Sequence, residues 1–140
     1  MTQLNANLAQ LIEDFQFCEG DEKLEYLIEL AESLPQLPDW LQSNYQLMTP
    51  VEECMSPVHV FLENVEGTVK IHFDISQESP TVRGYAAVLE QGLNGLTVEQ
   101  LQQIPDDIYL KMGLQDVLSG QRQNGIKALM ARIKLLASAL

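Results

Sequence analysis

The sequence predicts an α+β domain in which a small antiparallel three-stranded sheet is covered on one face by helices. Apolar residues recur at helical spacing in the N-terminal and C-terminal parts of the chain. Between residues 58 and 75 the apolar period changes to two, which is typical of strands with one buried face. A run of strands between two groups of helices favours an α+β arrangement. The length of 140 residues is typical of one domain, so we expect residues 1–140 to form a single one.

The N-terminal part is predicted to contain two amphipathic helices. The first ends near Gly20, and its apolar face consists of Leu4, Leu8, Leu11, Ile12 and Phe15. The second covers about residues 21–33, with Asp21 as the candidate N-cap. Its apolar face consists of Leu24, Leu27, Ile28 and Ala31.

A loop with two prolines follows, because Pro35 and Pro38 cannot continue a helix. The loop is unusually apolar, and we expect Leu37 and Trp40 to pack onto the body of the protein.

Two strands joined by a hairpin are predicted in the middle of the chain. Residues 58–63 and 68–75 both alternate apolar and polar side chains, and residues 64–67 have the length and the glycine of a hairpin loop. A short strand within residues 47–51 is expected to complete the sheet.

Helices are predicted again after residue 80. One covers about residues 82–92, and another begins with a capping box at residues 97–100 and stops at Pro105. A short helix at residues 107–112 is closed by Gly113. The last helix carries an apolar stripe of Ile126, Leu129, Met130, Ile133, Leu136 and Leu140.

The charge of the chain excludes two classes of partner. Twenty acidic residues against eight basic ones give a net charge of −12, and such a surface repels nucleic acids and anionic membranes. No apolar run approaches the roughly 18–20 residues of a membrane span. The N-terminus lacks the pattern of a signal peptide, so we expect a cytoplasmic protein. The acidity suits solubility or a basic protein partner.

Motifs for phosphate, metal and calcium sites are missing. The chain has no glycine-rich phosphate loop, no C-x-x-C, no H-x-x-x-H and no EF-hand pattern. A zinc site would need Cys54, His59 and His72 at a spacing that no common site uses. We therefore predict no metal site, and we expect both histidines to be surface or half-buried strand residues.

Cys54 is the most unusual residue, because it lies in the polar, proline-bounded stretch "VEECMSPVH" at residues 51–59. A Cys–His hydrolase is one interpretation, with His59 as the base. However, Glu52 and Glu53 precede the cysteine, and negative neighbours disfavour a thiolate. We expect a thiol pKa near or above the ordinary value of about 8.5. This pattern favours a cysteine that a loop presents and a partner activates, whereas Cys18 is typical of a free, buried cysteine.

The chain resembles the SufE/CsdE family of sulfur-acceptor proteins nearly from end to end. The matching segments are Phe17-Cys18 and residues 22–30 (EKLEYLIEL), 82–89 (VRGYAAVL), 110–114 (LKMGL) and 118–126 (LSGQRQNGI). The resemblance implies an α+β fold shared with iron–sulfur scaffold proteins. It also implies a protein that is not an independent enzyme and has no cofactor of its own. Such a protein takes persulfide sulfur from a pyridoxal-phosphate-dependent cysteine desulfurase, stimulates that enzyme, and delivers the sulfur to an iron–sulfur cluster scaffold.

The resemblance assigns roles to three residues of this chain. Cys54 corresponds to the persulfide acceptor. Arg122 corresponds to the family arginine, as a positive charge near the acceptor loop or at the partner surface, and its alternative is a helix-start arginine paired with an acid. Asp74 corresponds to an aspartate at a strand end, where a turn-capping role is the preferred interpretation.

The acceptor loop departs from the family pattern G-C-Q-S-x-V-W. Ser56 is kept, whereas Glu53, Met55 and His59 replace the glycine, the glutamine and the tryptophan. Glu53 restricts the loop and adds charge, and His59 removes a large apolar ring. We expect a working acceptor with a modified loop, and the alternative is a regulator or adaptor that binds the desulfurase without efficient sulfur transfer.

Overall fold

The three-stranded antiparallel sheet is present in the computed structural model of the chain, which describes residues 5–54 and 57–140. Its strands are β1 (Thr49–Pro50), β2 (Val58–Val65) and β3 (Thr68–Ile75), in the order β1-β2-β3. Thr49 is paired with Val60 across the first pair of strands. The predicted α+β class is therefore confirmed, and the predicted third strand shortens to two residues.

Helices precede and follow the sheet. They are α1 (Ala6–Phe17), α2 (Glu22–Ala31), α3 (Asp39–Gln42), α4 (Pro80–Leu93), α5 (Val98–Gln102) and α6 (Gly120–Ala137). Three 3₁₀ turns complete the described elements: Tyr45–Leu47, Ile108–Met112 and Leu114–Asp116. The predicted capping box is present at the start of α5. The Thr97 hydroxyl accepts a hydrogen bond from the Gln100 backbone N–H, and the Gln100 side-chain oxygen accepts one from the Thr97 backbone N–H. The turn before Gly113 is 3₁₀ rather than α-helical, and Gly113 ends it at φ 73°.

The hydrophobic core lies between the inner face of the sheet and the helices, and α4 runs through its centre. The inward side chains of β2 and β3 are buried: Val58, Val60, Leu62, Val69, Ile71, Phe73 and Ile75. Tyr85, Ala86 and Leu89 of α4 are 0% exposed. None of the described helices is long and apolar enough to cross a membrane.

The outer face of the sheet is partly covered by α3. The ring of Trp40 lies edge-on to the rings of Phe61 and His72, with centroid distances of 6.0 and 5.7 Å. Trp40 therefore packs onto the sheet as expected, although it remains 45% exposed. The expectation that His72 is a surface or half-buried residue is wrong: it is 8% exposed, because Trp40 covers it, and its Nε2 lies 2.9 Å from Glu63.

Tyr85 carries a hydroxyl group that has no hydrogen-bond partner among the described residues. Burial raises the pKa of this hydroxyl above its ordinary value. A buried, unsatisfied polar group costs about 1–3 kcal/mol, so Tyr85→Phe is expected to raise the free energy of unfolding by about 1 kcal/mol in urea denaturation. The matched control is Tyr26→Phe, because the Tyr26 hydroxyl donates to Asp14 at 3.3 Å, and this variant should lose stability. A Tyr85→Phe variant less stable than the native chain would contradict the prediction.

Candidate functional site

Cys54 lies in the loop that connects β1 to β2. The base of this loop is closed by a hydrogen bond from the Val51 backbone N–H to the Val58 carbonyl, at 2.9 Å. The Cys54 backbone N–H donates to the Val51 carbonyl at 3.3 Å, which forms a turn before the cysteine. Because β1 and β2 are antiparallel, the chain leaves the sheet and returns to it over these few residues. Cys54 is therefore held on a short loop with an anchored base. Met55 and Ser56, two of the predicted site residues, lie outside the described residues.

The Cys54 side chain rests on the backbone of α6. Its Sγ donates to the Gly125 carbonyl oxygen at 3.5 Å, and the half-buried side chain packs against the hydrophobic core. A Cβ placed on Gly125 would lie 3.6 Å from Sγ and 3.7 Å from the Cys54 Cα. The loop and the helix thus meet at the cysteine and the glycine.

The pKa of the Cys54 thiol is raised, first by burial and then by the negative charge of Glu53. A thiol with a raised pKa is almost fully protonated at neutral pH. The sequence predicts the direction through the two glutamates, but the larger cause is burial, and only Glu53 of the two contributes to the shift. Cys54 in the free protein is therefore a protonated, poorly nucleophilic thiol at neutral pH.

Arg122 lies one helical turn before Gly125, at the start of α6. Its backbone N–H donates to the Ser119 side chain, which caps the helix. Its guanidinium Nη1 donates to the Thr81 hydroxyl at 2.9 Å, near the start of α4. Within the described part of the chain, Arg122 forms no ion pair. Arg122 thus ties α6 to α4 and places a positive charge on the helix that supports Cys54.

Asp74 and His59 lie opposite each other on β3 and β2. The Asp74 carboxylate accepts a hydrogen bond from the Tyr45 hydroxyl at 2.6 Å. The Tyr45 ring also lies 5.2 Å from the His59 ring, between centroids. Burial and the Asp74 carboxylate together raise the pKa of Tyr45 to about 12. These three side chains attach the segment before β1 to the sheet, and no pattern in the sequence predicts the role of Tyr45.

Gly125 is the other site residue that sequence reasoning missed. It is part of a matching segment, but no role is assigned to it there. A glycine in the interior of an otherwise regular helix is a signal, because it often marks a close approach of another group.

Metal-binding side chains do not converge in the described residues. No group of three or more His, Cys, Asp and Glu side chains there could hold an ion. The His72 imidazole contacts the Glu63 carboxylate, with Nε2 and Oε1 2.9 Å apart. Cys18 and Cys54 are separate free thiols. The arrangement therefore offers one thiol, a helix backbone and nearby polar groups.

The family model SufE, described as an Fe–S metabolism associated domain, matches residues 9–137. The chain belongs to the SufE family. A SufE-like protein of Mycobacterium tuberculosis is 37% identical over 132 residues, which cover 94% of this chain and 91% of the relative. A SufE-like protein of Rhizobium meliloti is 30% identical and covers 91% of this chain and 92% of the relative.

The SufE-like fold is also found in a solved structure. The solution structure of a hypothetical protein from Thermus thermophilus superposes with a TM-score of 0.85 at 26% identity, covering 98% of this chain and 97% of the other. The SufE family and the α+β fold are therefore confirmed. Membership of the SufE family associates the chain with Fe–S metabolism and sulfur transfer.

Proposed function

We propose that this protein is the sulfur acceptor of a cysteine desulfurase, and that Cys54 carries the sulfur as a persulfide. The observation that supports it best is the position of Cys54 in a SufE domain: an anchored loop holds one half-buried thiol against α6. The only other cysteine, Cys18, donates to the Asp14 carbonyl within its own helix turn.

The reaction is a transfer of sulfane sulfur between two cysteines, closely related to thiol–disulfide exchange. The Cys54 thiolate attacks the outer sulfur of the persulfide on the desulfurase. A new S–S bond forms on Cys54, and the S–S bond to the desulfurase cysteine breaks, so that this cysteine leaves as a thiolate. The Cys54 proton ends on the leaving thiolate, so that a thiol and a persulfide exchange places without any external oxidant or reductant.

Activation of Cys54 is expected to depend on the partner. Because the pKa of the Cys54 thiol is raised, only a small fraction of it is thiolate in the free protein. Positive groups in the desulfurase would offset the negative charge of Glu53 and lower this pKa. Arg122, one turn before Gly125 on the supporting helix, is one positive side chain available to such an interface. The pyridoxal phosphate belongs to the desulfurase, and the protein itself acts as a carrier and activator rather than as an independent enzyme. The sulfur then passes to an iron–sulfur cluster scaffold.

A second function is favoured by one observation, the charge of Glu53 next to the thiol. If the partner does not offset this charge, the protein binds the desulfurase and regulates it without efficient transfer.

Intact-mass spectrometry after incubation with a cysteine desulfurase, pyridoxal phosphate and free cysteine tests the proposal. The native chain is expected to gain the mass of one or more sulfur atoms, Cys54→Ser is expected to gain none, and Cys18→Ser is the matched control that should still gain sulfur. Sulfur on Cys54→Ser but not on Cys18→Ser would overturn the assignment of the acceptor. Binding without any mass gain, together with a changed desulfurase rate that persists in Cys54→Ser, would instead establish the regulator.

A further inference from the structure

We propose that Gly125 allows Cys54 to carry a persulfide. Because glycine has no side chain, the space beside the Cys54 thiol stays free for the outer sulfur of the persulfide. This inference rests on the proposed function. It assigns a role to a helix residue that lies 71 positions away from the cysteine in the sequence.

The first argument is the helix itself. Gly125 lies inside the 18-residue helix α6, where glycine is less favourable than alanine by about 1 kcal/mol. Its backbone is helical, so no left-handed conformation requires a glycine there. The reason for glycine must therefore lie in its surroundings.

The second argument is that the resting thiol does not require a glycine either. A Cβ on Gly125 would lie 3.6 Å from Sγ, 3.7 Å from Cα of Cys54 and 3.9 Å from the Glu53 carbonyl oxygen. These are ordinary van der Waals distances, so alanine fits beside the thiol. This differs from Gly84, where a Cβ would lie 2.0 Å from a backbone oxygen.

A persulfide changes this comparison. The outer sulfur lies about 2.05 Å from Sγ and replaces the thiol hydrogen, which is directed at the Gly125 carbonyl. In this proposal the outer sulfur lies beside that oxygen, which is 3.5 Å from Sγ, on the side where Gly125 carries no Cβ. A methyl group at this position would already be in contact with Sγ, and no room for another sulfur would remain on that side. Gly125→Ala would force the outer sulfur away from the helix into solvent.

The experiment uses the full chain with Cys18→Ser, so that only Cys54 is loaded. Sulfur is loaded in two ways, from a cysteine desulfurase and from inorganic polysulfide, whose terminal sulfane sulfur passes to the Cys54 thiolate and leaves a polysulfide shorter by one sulfur. Intact mass measures the loaded fraction with time, and its decay in dithiothreitol measures the persulfide lifetime. Gly120→Ala is the matched control, because it adds a methyl group to the same helix with nothing within 4 Å of the new Cβ.

Gly125→Ala is expected to keep or raise the thermal midpoint and to keep its affinity for the desulfurase. Its persulfide yield or lifetime should fall about tenfold or more by either loading route, as overpacking of a filled site predicts. Gly120→Ala should load like the parent. Native-like loading and lifetime in Gly125→Ala would overturn the inference, and so would a lowered thermal midpoint, because alanine would then clash with the thiol itself. If polysulfide loads the parent but the desulfurase does not, the proposed function fails while the polysulfide comparison still decides the role of Gly125.

Discussion

Gly84→Ala is expected to lower the free energy of unfolding by about 3 kcal/mol or more, because the backbones of α4 and α2 touch at this residue. A Cβ on Gly84 would lie 2.0 Å from the Leu27 carbonyl oxygen and 2.6 Å from its carbon. Neither atom can move without displacing α2, which packs along α4 as part of the core. The free energy of unfolding of native proteins is only about 5–15 kcal/mol, so this one methyl group should remove a large fraction of it.

Urea denaturation followed by circular dichroism measures this effect, and Gly92→Ala is the graded comparison. A Cβ on Gly92 would first meet the Leu8 side chain, at 2.9 Å from Cδ1, on the neighbouring helix α1. A side chain can rotate away more easily than a backbone carbonyl, so we expect a loss of about 1–2 kcal/mol at this position. Equal stability of Gly84→Ala and the native chain would contradict the close contact between Gly84 and the Leu27 backbone.

Alkylation of Cys54 in the free protein is expected to be slow at neutral pH and to accelerate about tenfold for each pH unit up to the raised thiol pKa. Burial and Glu53 both raise this pKa, and only the thiolate reacts. Between pH 7 and 9 the rate constant for iodoacetamide should therefore rise by up to about 100-fold. The same shift should lower stability as the pH rises above about 8.5, since the unfolded thiol ionises before the folded one.

Two neighbouring glutamates offer a matched test of the charge contribution. Glu53→Gln should lower the thiol pKa and increase the alkylation rate at pH 7, whereas Glu52→Gln should change it little, since Glu52 does not contribute to the shift. A Cys18→Ser background restricts the reaction to Cys54, and the urea-unfolded chain provides the rate without burial. An alkylation rate that is already maximal at pH 7 would contradict the raised pKa of Cys54. It would indicate that the free protein itself activates this thiol.

The local elements of this fold follow from local patterns. The period of two at residues 58–75 predicts β2 and β3, because each strand has one buried face. The capping box at Thr97 predicts the start of α5, since both of its hydrogen bonds lie within four residues. The direction of the Cys54 pKa shift could also be predicted, because Glu53 is its neighbour in the sequence.

Family membership could be predicted too, from segments distributed along most of the chain, and the resemblance assigned Cys54 as the acceptor. Neither Gly125 nor Tyr45 could be assigned in this way. The role of Gly125 depends on the position of the Cys54 thiol, which the sequence does not give. Tyr45 lies 29 residues before its partner Asp74, so no local pattern connects them.

By itself, the sequence determined the two long strands and the longer helices of this protein, which family it belongs to and which cysteine is unusual. The tertiary structure alone decided that Cys54 is half-buried on α6 beside Gly125, that α4 needs a glycine against Leu27, and that His72 is covered by Trp40. The physical reason is the range of the interactions. Backbone periodicity and capping act over a few residues, whereas burial and close contact depend on how elements far apart in the sequence pack together.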